Sequence, residues 1–242
     1  MSPASHRVFR MSPAEKQAAM RRPTATDRLL GRPRIVCSAG SGRREVALTF
    51  DDGPSRWTAE IAETFEAHGC RATFFQRGPE VEKRPEAVTA LASAGHELGN
   101  HLWSHADAST QSRAEIRTEL KRTAGAIRAA GGGRPRLVRP PYHRGPHEVA
   151  SAARWLGVKA VVLRSIAVSD WAAASEDEVF APVFAAAGPG DIVCLHDGIS
   201  SDKRDGDSRE PTAAAVRRLV PALLERDLRP VTVSQLLRSE RS

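Results

Sequence analysis

Five short stretches of this 242-residue chain carry side chains suited to chemistry, and each comes at or after the end of a predicted strand. The first is Thr49-Phe50-Asp51-Asp52-Gly53-Pro54, entered from Val46-Ala47-Leu48 and turned by Gly53-Pro54. Two adjacent carboxylates at a strand end repel each other once desolvated. A metal or a proton must settle that repulsion, which pushes their pKa values apart. One Asp can then bind a metal while its neighbour handles protons; in an exposed turn, both would merely favour the loop. Further along, His101-Leu102-Trp103-Ser104-His105 places two imidazoles four residues apart. On a helical turn that spacing faces one way, a common arrangement for divalent metals, although a His pair alone is also a frequent surface coincidence. One Asp and two His would make a three-ligand face with open positions for water and substrate.

Three more strand ends complete the set. Arg139-Pro140-Pro141-Tyr142 holds its loop extended through two prolines, so that the Tyr142 backbone N–H is aimed rather than mobile. Ser169-Asp170-Trp171 and Cys194-Leu195-His196-Asp197-Gly198 add an acid and an imidazole. A lone His at a strand end is usually structural. A His and an Asp on neighbouring strand ends, beside a candidate metal site, point to proton transfer.

Charge excludes one class of partner. The formal net charge is +7, but residues 1–44 alone carry +8 and the remaining 198 residues carry −1. The basic character therefore belongs to an N-terminal arm, and a folded nucleic-acid-binding surface is not expected. That arm, rich in Arg, Ser, Pro and Ala, is predicted to be mostly disordered, with Arg34-Ile35-Val36-Cys37 a candidate short strand. Residues 45–242 are predicted to form the catalytic domain. Three scattered cysteines, Cys37, Cys70 and Cys194, make neither a disulfide framework nor a thiolate zinc site. No apolar stretch reaches the ~20 residues of a membrane span, and no apolar segment follows Arg21-Arg22. The expectation is a cytoplasmic protein with no membrane contact.

Elements must now position the five stretches. Strands are predicted at Val46–Phe50, Ala72–Phe75, Glu97–Gly99, Leu137–Arg139, Lys159–Leu163, Asp191–Leu195 and Pro230–Val233. Helices are predicted at Ala59–His68, Glu80–Ala94, Arg113–Ala130, Glu148–Leu156, Glu176–Ala187 and Thr212–Arg226. Seven strands joined by crossover-length connections imply a parallel sheet with helices outside. Polar signatures at several strand C-termini favour a barrel, whose chemistry sits on that rim. Gly131-Gly132-Gly133 precedes a strand and lacks a following Lys, so it is no phosphate loop.

The five motifs in this order resemble the polysaccharide deacetylase family, carbohydrate esterase family four, over roughly Arg44 to Leu237. The resemblance implies an α/β fold, a distorted seven-stranded (β/α) barrel with helices outside. It implies that Asp52, His101 and His105 bind one divalent ion, usually zinc in this family, and that Asp51 is the general base. Arg139 would position Asp51, and the Tyr142 N–H would stabilise the oxyanion. His196 would protonate the leaving amine, with Asp170 orienting it; Trp171, Leu195 and Pro141 would line the pocket. Departures from the family pattern are Leu102, Ala106, His143, Ala167 and Cys194, all in supporting or lining positions.

The expected activity is metal-dependent removal of an N-acetyl group, releasing acetate. The expected substrate is a small N-acetylated amino sugar or related metabolite, because no export signal is evident. The alternatives are an allantoinase-like or imide-cleaving member of the superfamily, a non-catalytic metal- or sugar-binding homologue, and an arm-driven nucleic-acid binder. Sequence offers no reading of the oligomeric state.

Overall fold

A computed structural model describes residues 8–19, 31–40, 42–199 and 208–238. In chain order the elements are β1 (Phe9–Arg10), α1 (Pro13–Ala19), β2 (Arg34–Val36), β3 (Glu45–Asp51), α2 (Thr58–Ala67), β4 (Thr73–Gln76), α3 (Gly78–Lys83), α4 (Pro85–Ser93) and β5 (Glu97–Asn100). Then follow α5 (Arg113–Ala129), β6 (Leu137–Val138), α6 (Pro146–Ala152), β7 (Ala160–Val162), β8 (Ile166–Ala167), α7 (Asp177–Ala186), β9 (Ile192–His196), α8 (Glu210–Glu225), β10 (Arg229–Pro230) and α9 (Val233–Leu236). The sheet runs β1-β8-β9-β3-β4-β5-β6-β7-β2, with β10 beside β3. Every pairing along it is parallel except β1 with β8. The sheet curls into a distorted barrel with the helices outside, as the resemblance implies.

Alternation along each strand explains both cores. On β3, Val46, Leu48 and Phe50 point outward, where they join Ile61 and Phe65 of α2 and Val216 and Leu219 of α8. Phe50 stacks on Phe74 with ring centroids 5.1 Å apart. Ala47 points inward with Val36, Phe75, Leu137, Val162 and Ile192, and α9 supplies Val233 and Leu236 to the same cluster. Both faces of the central strands β3, β4 and β9 are largely buried, which is why these strands read as short apolar runs.

Two predicted elements differ in detail. The helix predicted over Glu80–Ala94 is two, because Arg84 turns out of the helical region ahead of Pro85 at φ −139° and ψ 58°. The strand predicted at Pro230–Val233 ends at Pro230. There Thr232 and Gln235 form a reciprocal cap that starts α9. The sequence pattern also passes over β8, whose two residues are too few to show a period.

The basic arm contributes to the sheet. Its residues 1–7, 20–30 and 41 lie outside the described set, but β2 pairs in parallel with β7 and β1 pairs antiparallel with β8. Lys16 of α1 reaches the buried Asp191, Nζ to Oδ1 2.6 Å, where Ser165 also donates at 2.8 Å. Composition hides these contacts because each spans only a few residues. The three cysteines are buried and not disulfide-linked. No helix of the described residues is long and apolar enough to cross a membrane.

Deleting residues 1–44 is therefore expected to destabilise the protein more than deleting residues 1–33. Only the longer deletion removes buried Ile35 and Val36, at roughly 1.5–3 kcal/mol each. Urea midpoints of the two truncations check this, and equal midpoints would remove β2 from the fold's stability.

Candidate active site

The C-terminal end of β3 carries Asp51, fully enclosed and held by a buried guanidinium. Arg139 Nη1 donates to Asp51 Oδ1 at 2.8 Å and to Thr49 Oγ1 at 2.7 Å. Its Nε donates to the Val162 carbonyl at 3.3 Å, and its Cζ lies 4.1 Å from the Phe75 ring centroid. Burial alone would raise the Asp51 carboxyl, yet Arg139 and the imidazoles of His101 and His196 outweigh it, and the net shift is downward. Cys194 Sγ donates to Asp51 Oδ2 at 3.4 Å, and burial pushes this thiol well above its ordinary pKa.

Asp52 turns the other way, because its backbone sits at φ 75°, a left-handed conformation that costs energy for a non-glycine residue. The turn is crowded. A Cβ on Gly53 would lie 2.2 Å from the Asp197 carboxylate, and one on Gly198 would lie 2.1 Å from the Asp52 carbonyl oxygen. Only glycine lets the loops after β3 and β9 close on each other, a packing that the Gly53-Pro54 turn signal does not reveal.

Asp52 Oδ1 faces His105 Nε2 at 3.1 Å and His101 Nε2 at 3.7 Å. One ligand atom from each residue lies within 4.8 Å of the others. His101 Nδ1 lies 2.8 Å from the Arg139 carbonyl, which can only accept, so the proton sits on Nδ1 and the Nε2 lone pair faces the carboxylates. Burial holds His101 down at about 4, against the pull of Asp51 and Asp52, so this ring is neutral near pH 7. Asp52 is held at about 2, its burial outweighed by His105 and His101. Its Oδ1 is buried without a well-directed hydrogen bond. A lone pair aimed at an unsatisfied carboxylate oxygen is repulsive until a cation lies between them. The donor set therefore fits a divalent ion.

The two imidazoles do not share a helical turn, as their spacing suggests; they sit in a loop with Leu102 at φ 61° and His105 at φ 63°. Three groups fold it there. Asn100 Oδ1 accepts from the Leu102 N–H at 2.9 Å, Glu119 Oε2 accepts from the Trp103 and Ser104 N–H groups at 3.0 Å, and Leu102 is fully buried beside Ile116 and Leu120. Leu102 thus supports the loop by packing. Asn100 and Glu119 have no sequence signal, since their acceptors meet the loop only in space.

Across the site, His196 Nδ1 meets Asp170 Oδ1 at 2.7 Å. Asp170 Oδ2 accepts from the His196 N–H at 2.8 Å and from Thr212 Oγ1 at 3.0 Å. Burial lowers His196, but Asp170 more than reverses it and the pKa reaches about 9. Its other nitrogen faces the cleft, and ligand atoms of His196, Asp51 and Cys194 lie within 4.8 Å of one another. Next to it Asp197 is buried, with Oδ1 unpartnered among the described residues and Oδ2 accepting from Thr58. Burial raises its pKa to about 7, Thr58 acting against burial and the carboxylates of Asp52 and Asp51 with it.

Tyr142 and Trp171 flank the opening, 48% and 41% exposed, and Tyr142 Oη lies 3.2 Å from His105 Nδ1. Arg209, wholly buried, donates to the carbonyls of Gly198 at 2.8 Å and Trp171 at 3.3 Å, pinning both loops. Pro141 is buried beneath the rim. Leu195 does not reach the pocket. Strand alternation turns it outward into the cluster that holds Val179 and Val216, and its neighbour Cys194 takes the inward position.

Comparison with known proteins agrees with this geometry. Residues 39–161 match the polysaccharide deacetylase family. A chitooligosaccharide deacetylase of Bradyrhizobium sp. (strain ANU 289) is 37% identical over 77% of this chain and 87% of its own length. The crystal structure of a peptidoglycan N-acetylglucosamine deacetylase superposes with a TM-score of 0.75 at 28% identity, covering 84% of this chain and 92% of that one. A family 4 carbohydrate esterase from Streptomyces lividans, bound to acetate, superposes with a TM-score of 0.68 at 32% identity, over 77% and 91% of the two chains. With half of its residues inside the family match and relatives that align over most of their own length, this chain belongs to the polysaccharide deacetylase family.

Proposed function

We propose that this protein hydrolyses the N-acetyl group of an amino sugar within an oligosaccharide or glycan strand, releasing acetate and a free amine. The observation that carries the reading is the Asp52/His101/His105 donor set, facing a carboxylate and an imidazole whose pKa values are driven in opposite directions. Relatives named for chitooligosaccharide and peptidoglycan favour an oligomeric substrate over the small metabolite expected from the sequence. Exposed Tyr142 and Trp171 at the opening suit sugar rings.

Asp52, His101 and His105 would hold the cation, and two imidazoles with one carboxylate suit zinc. When bound, the cation supplies a lowered water pKa and polarises the acetamide carbonyl. Asp51 Oδ2 takes a proton from the attacking water, while Arg139 fixes the carboxylate through Oδ1. The Tyr142 backbone N–H is assigned to the carbonyl oxygen as it gains negative charge. His196 gives its Nε2 proton to the amine nitrogen as the C–N bond breaks, and Asp170 keeps the imidazolium oriented through Nδ1. One water is consumed, and the proton that enters at Asp51 balances the one that leaves from His196. The thiol of Cys194 stays protonated against Asp51 and is no nucleophile.

Purified protein is expected to release acetate from N-acetylated chitooligosaccharides, to lose that activity to a chelator and to regain it with divalent ions. His105→Ala should weaken binding of the ion by more than about 100-fold, beyond the loss expected for an outer supporting group. Full metal content in that variant, measured by elemental analysis, would remove His105 from the site.

Cys194→Ala is expected to keep most of its turnover, whereas an essential thiol would leave a residue of activity near the uncatalysed rate. The pH profile of kcat/KM tests the two proton carriers separately. Activity requires ionised Asp51, so it falls as pH drops through the depressed Asp51 pKa. It also requires protonated His196, so it falls as pH rises through the elevated His196 pKa. Asp170→Asn removes the charge that raises His196. Its alkaline limb should move down by about one pH unit or more while the acid limb stays. Movement of the acid limb instead would exchange the two roles.

A further inference from the structure

The N-terminal strand β1 brings an aromatic side chain to the face of the sheet that carries the site. Phe9 lies opposite Ala167, Ala167 opposite Cys194, and Cys194 opposite Thr49. Residues directly opposed across a ladder share a face. The face of this row is settled by its far end, where Cys194 Sγ bonds Asp51 and Thr49 Oγ1 bonds Arg139. Ile166, one residue away, points outward into the helix-covered core. Phe9 therefore shares the site's face, two residue pairs below the Asp51–His196 row.

Burial does not explain Phe9, which stays 43% exposed. Its ring carries the Arg164 guanidinium, Cζ 4.9 Å from the centroid. Arg164 lies in the bend Leu163-Arg164-Ser165 between β7 and β8, and its Nε is buried without a hydrogen-bond partner among the described residues. Burial lowers the Arg164 pKa, and Cys194, Arg139 and Asp51 are among the groups that act on it electrostatically. Between Phe9 and Cys194 stands only Ala167, small and partly exposed. Two strand spacings put the Phe9 backbone about 10 Å from that of Cys194. That is the distance of a neighbouring sugar rather than of the acetamide itself.

We propose that Phe9 and Arg164 form a saccharide subsite. The ring would take the apolar face of a sugar unit next to the one being deacetylated, and the guanidinium would donate to one of its hydroxyl or acetamide oxygens. This deepens the function proposed above and rests on it. It also makes the N-terminal strand part of substrate recognition.

The test compares di- and tetra-N-acetylated chitooligosaccharides in wild type, Phe9→Ala, Phe9→Trp and Arg164→Met, with thermal midpoints measured for each. Calorimetric affinity of the metal-free proteins for the tetramer gives a readout independent of turnover. Phe9→Ala should lower the ratio of kcat/KM for tetramer over dimer about five- to tenfold, through KM, and weaken tetramer binding in parallel. Phe9→Trp should restore both, and Arg164→Met should lower the ratio while its stem still covers the ring. An unchanged ratio in Phe9→Ala and Arg164→Met overturns the subsite while leaving the deacetylase reading intact. Equal losses on dimer and tetramer with a lowered midpoint make Phe9 a fastening for β1 and also overturn it. A change in sedimentation for Phe9→Ala assigns the ring to a contact between copies of the chain, which overturns the subsite as well. If the wild type neither binds nor deacetylates any of these sugars, the function fails and the subsite fails with it.

Discussion

One buried cation holds the two halves of the site together. Arg139 has no exposed surface, and it meets both chemistries at once. Its guanidinium fixes Asp51 through Oδ1, and its backbone carbonyl accepts from Nδ1 of His101. The first contact keeps the carboxylate ionised in a dry site. The second selects the His101 tautomer whose lone pair faces Asp52. A guanidinium can do this because its fork reaches several acceptors in one plane; a lysine ammonium could not span Thr49, Asp51 and the Val162 carbonyl. Breaking a buried pair of this kind leaves an uncompensated charge and typically costs about 3–5 kcal/mol.

Around that cation the structure sorts four buried aspartates by their neighbours. Asp51 and Asp52 are held low, the one chiefly by Arg139 and the other by His105. Asp170 is matched by His196 and by donors from Thr212 and the backbone. Among the described residues Asp197 has the Thr58 hydroxyl for Oδ2 and no partner for Oδ1, and burial raises its pKa to about 7. Like side chains within one loop cluster thus meet different charges and donors, and their carboxyl pKa values move in opposite directions. Partners set these differences, and distance along the chain does not.

Strained backbone is concentrated in the same region. Asp52, Leu102, His105, Tyr142 and His143 all adopt positive φ without being glycine. All five lie in the loops that follow β3, β5 and β6 and carry the site. Packing supplies the compensation: Leu102 is buried in a core cluster, and Asn100 and Glu119 hold the loop's donors. Such conformations cost on the order of 1–3 kcal/mol each, so they persist only where the surroundings over-determine them.

The sequence by itself determined the strand ends. Parallel strands buried on both faces must read as short apolar runs, and the polar residues that follow each run must gather at one rim. Asp51, Asp52, His101, Arg139, Asp170 and His196 were legible for that reason, and the structure brings them together. Other features had no local signature. The direction of Leu195 depends on the register of β9 against β3, which sends Cys194 inward in its place. Asn100, Glu119, Thr212 and Arg209 act on their partners through hydrogen bonds that exist only after folding. Of the two short strands in the basic segment, β2 was legible in Arg34-Ile35-Val36-Cys37, whereas β1 lies where composition argues for disorder, because pairing partners, not propensity, make a strand of two residues stable. Local chemistry is written in residue order. Which surface each residue faces, and which charge it meets there, is set by strand register and close packing, and only the tertiary structure decides that.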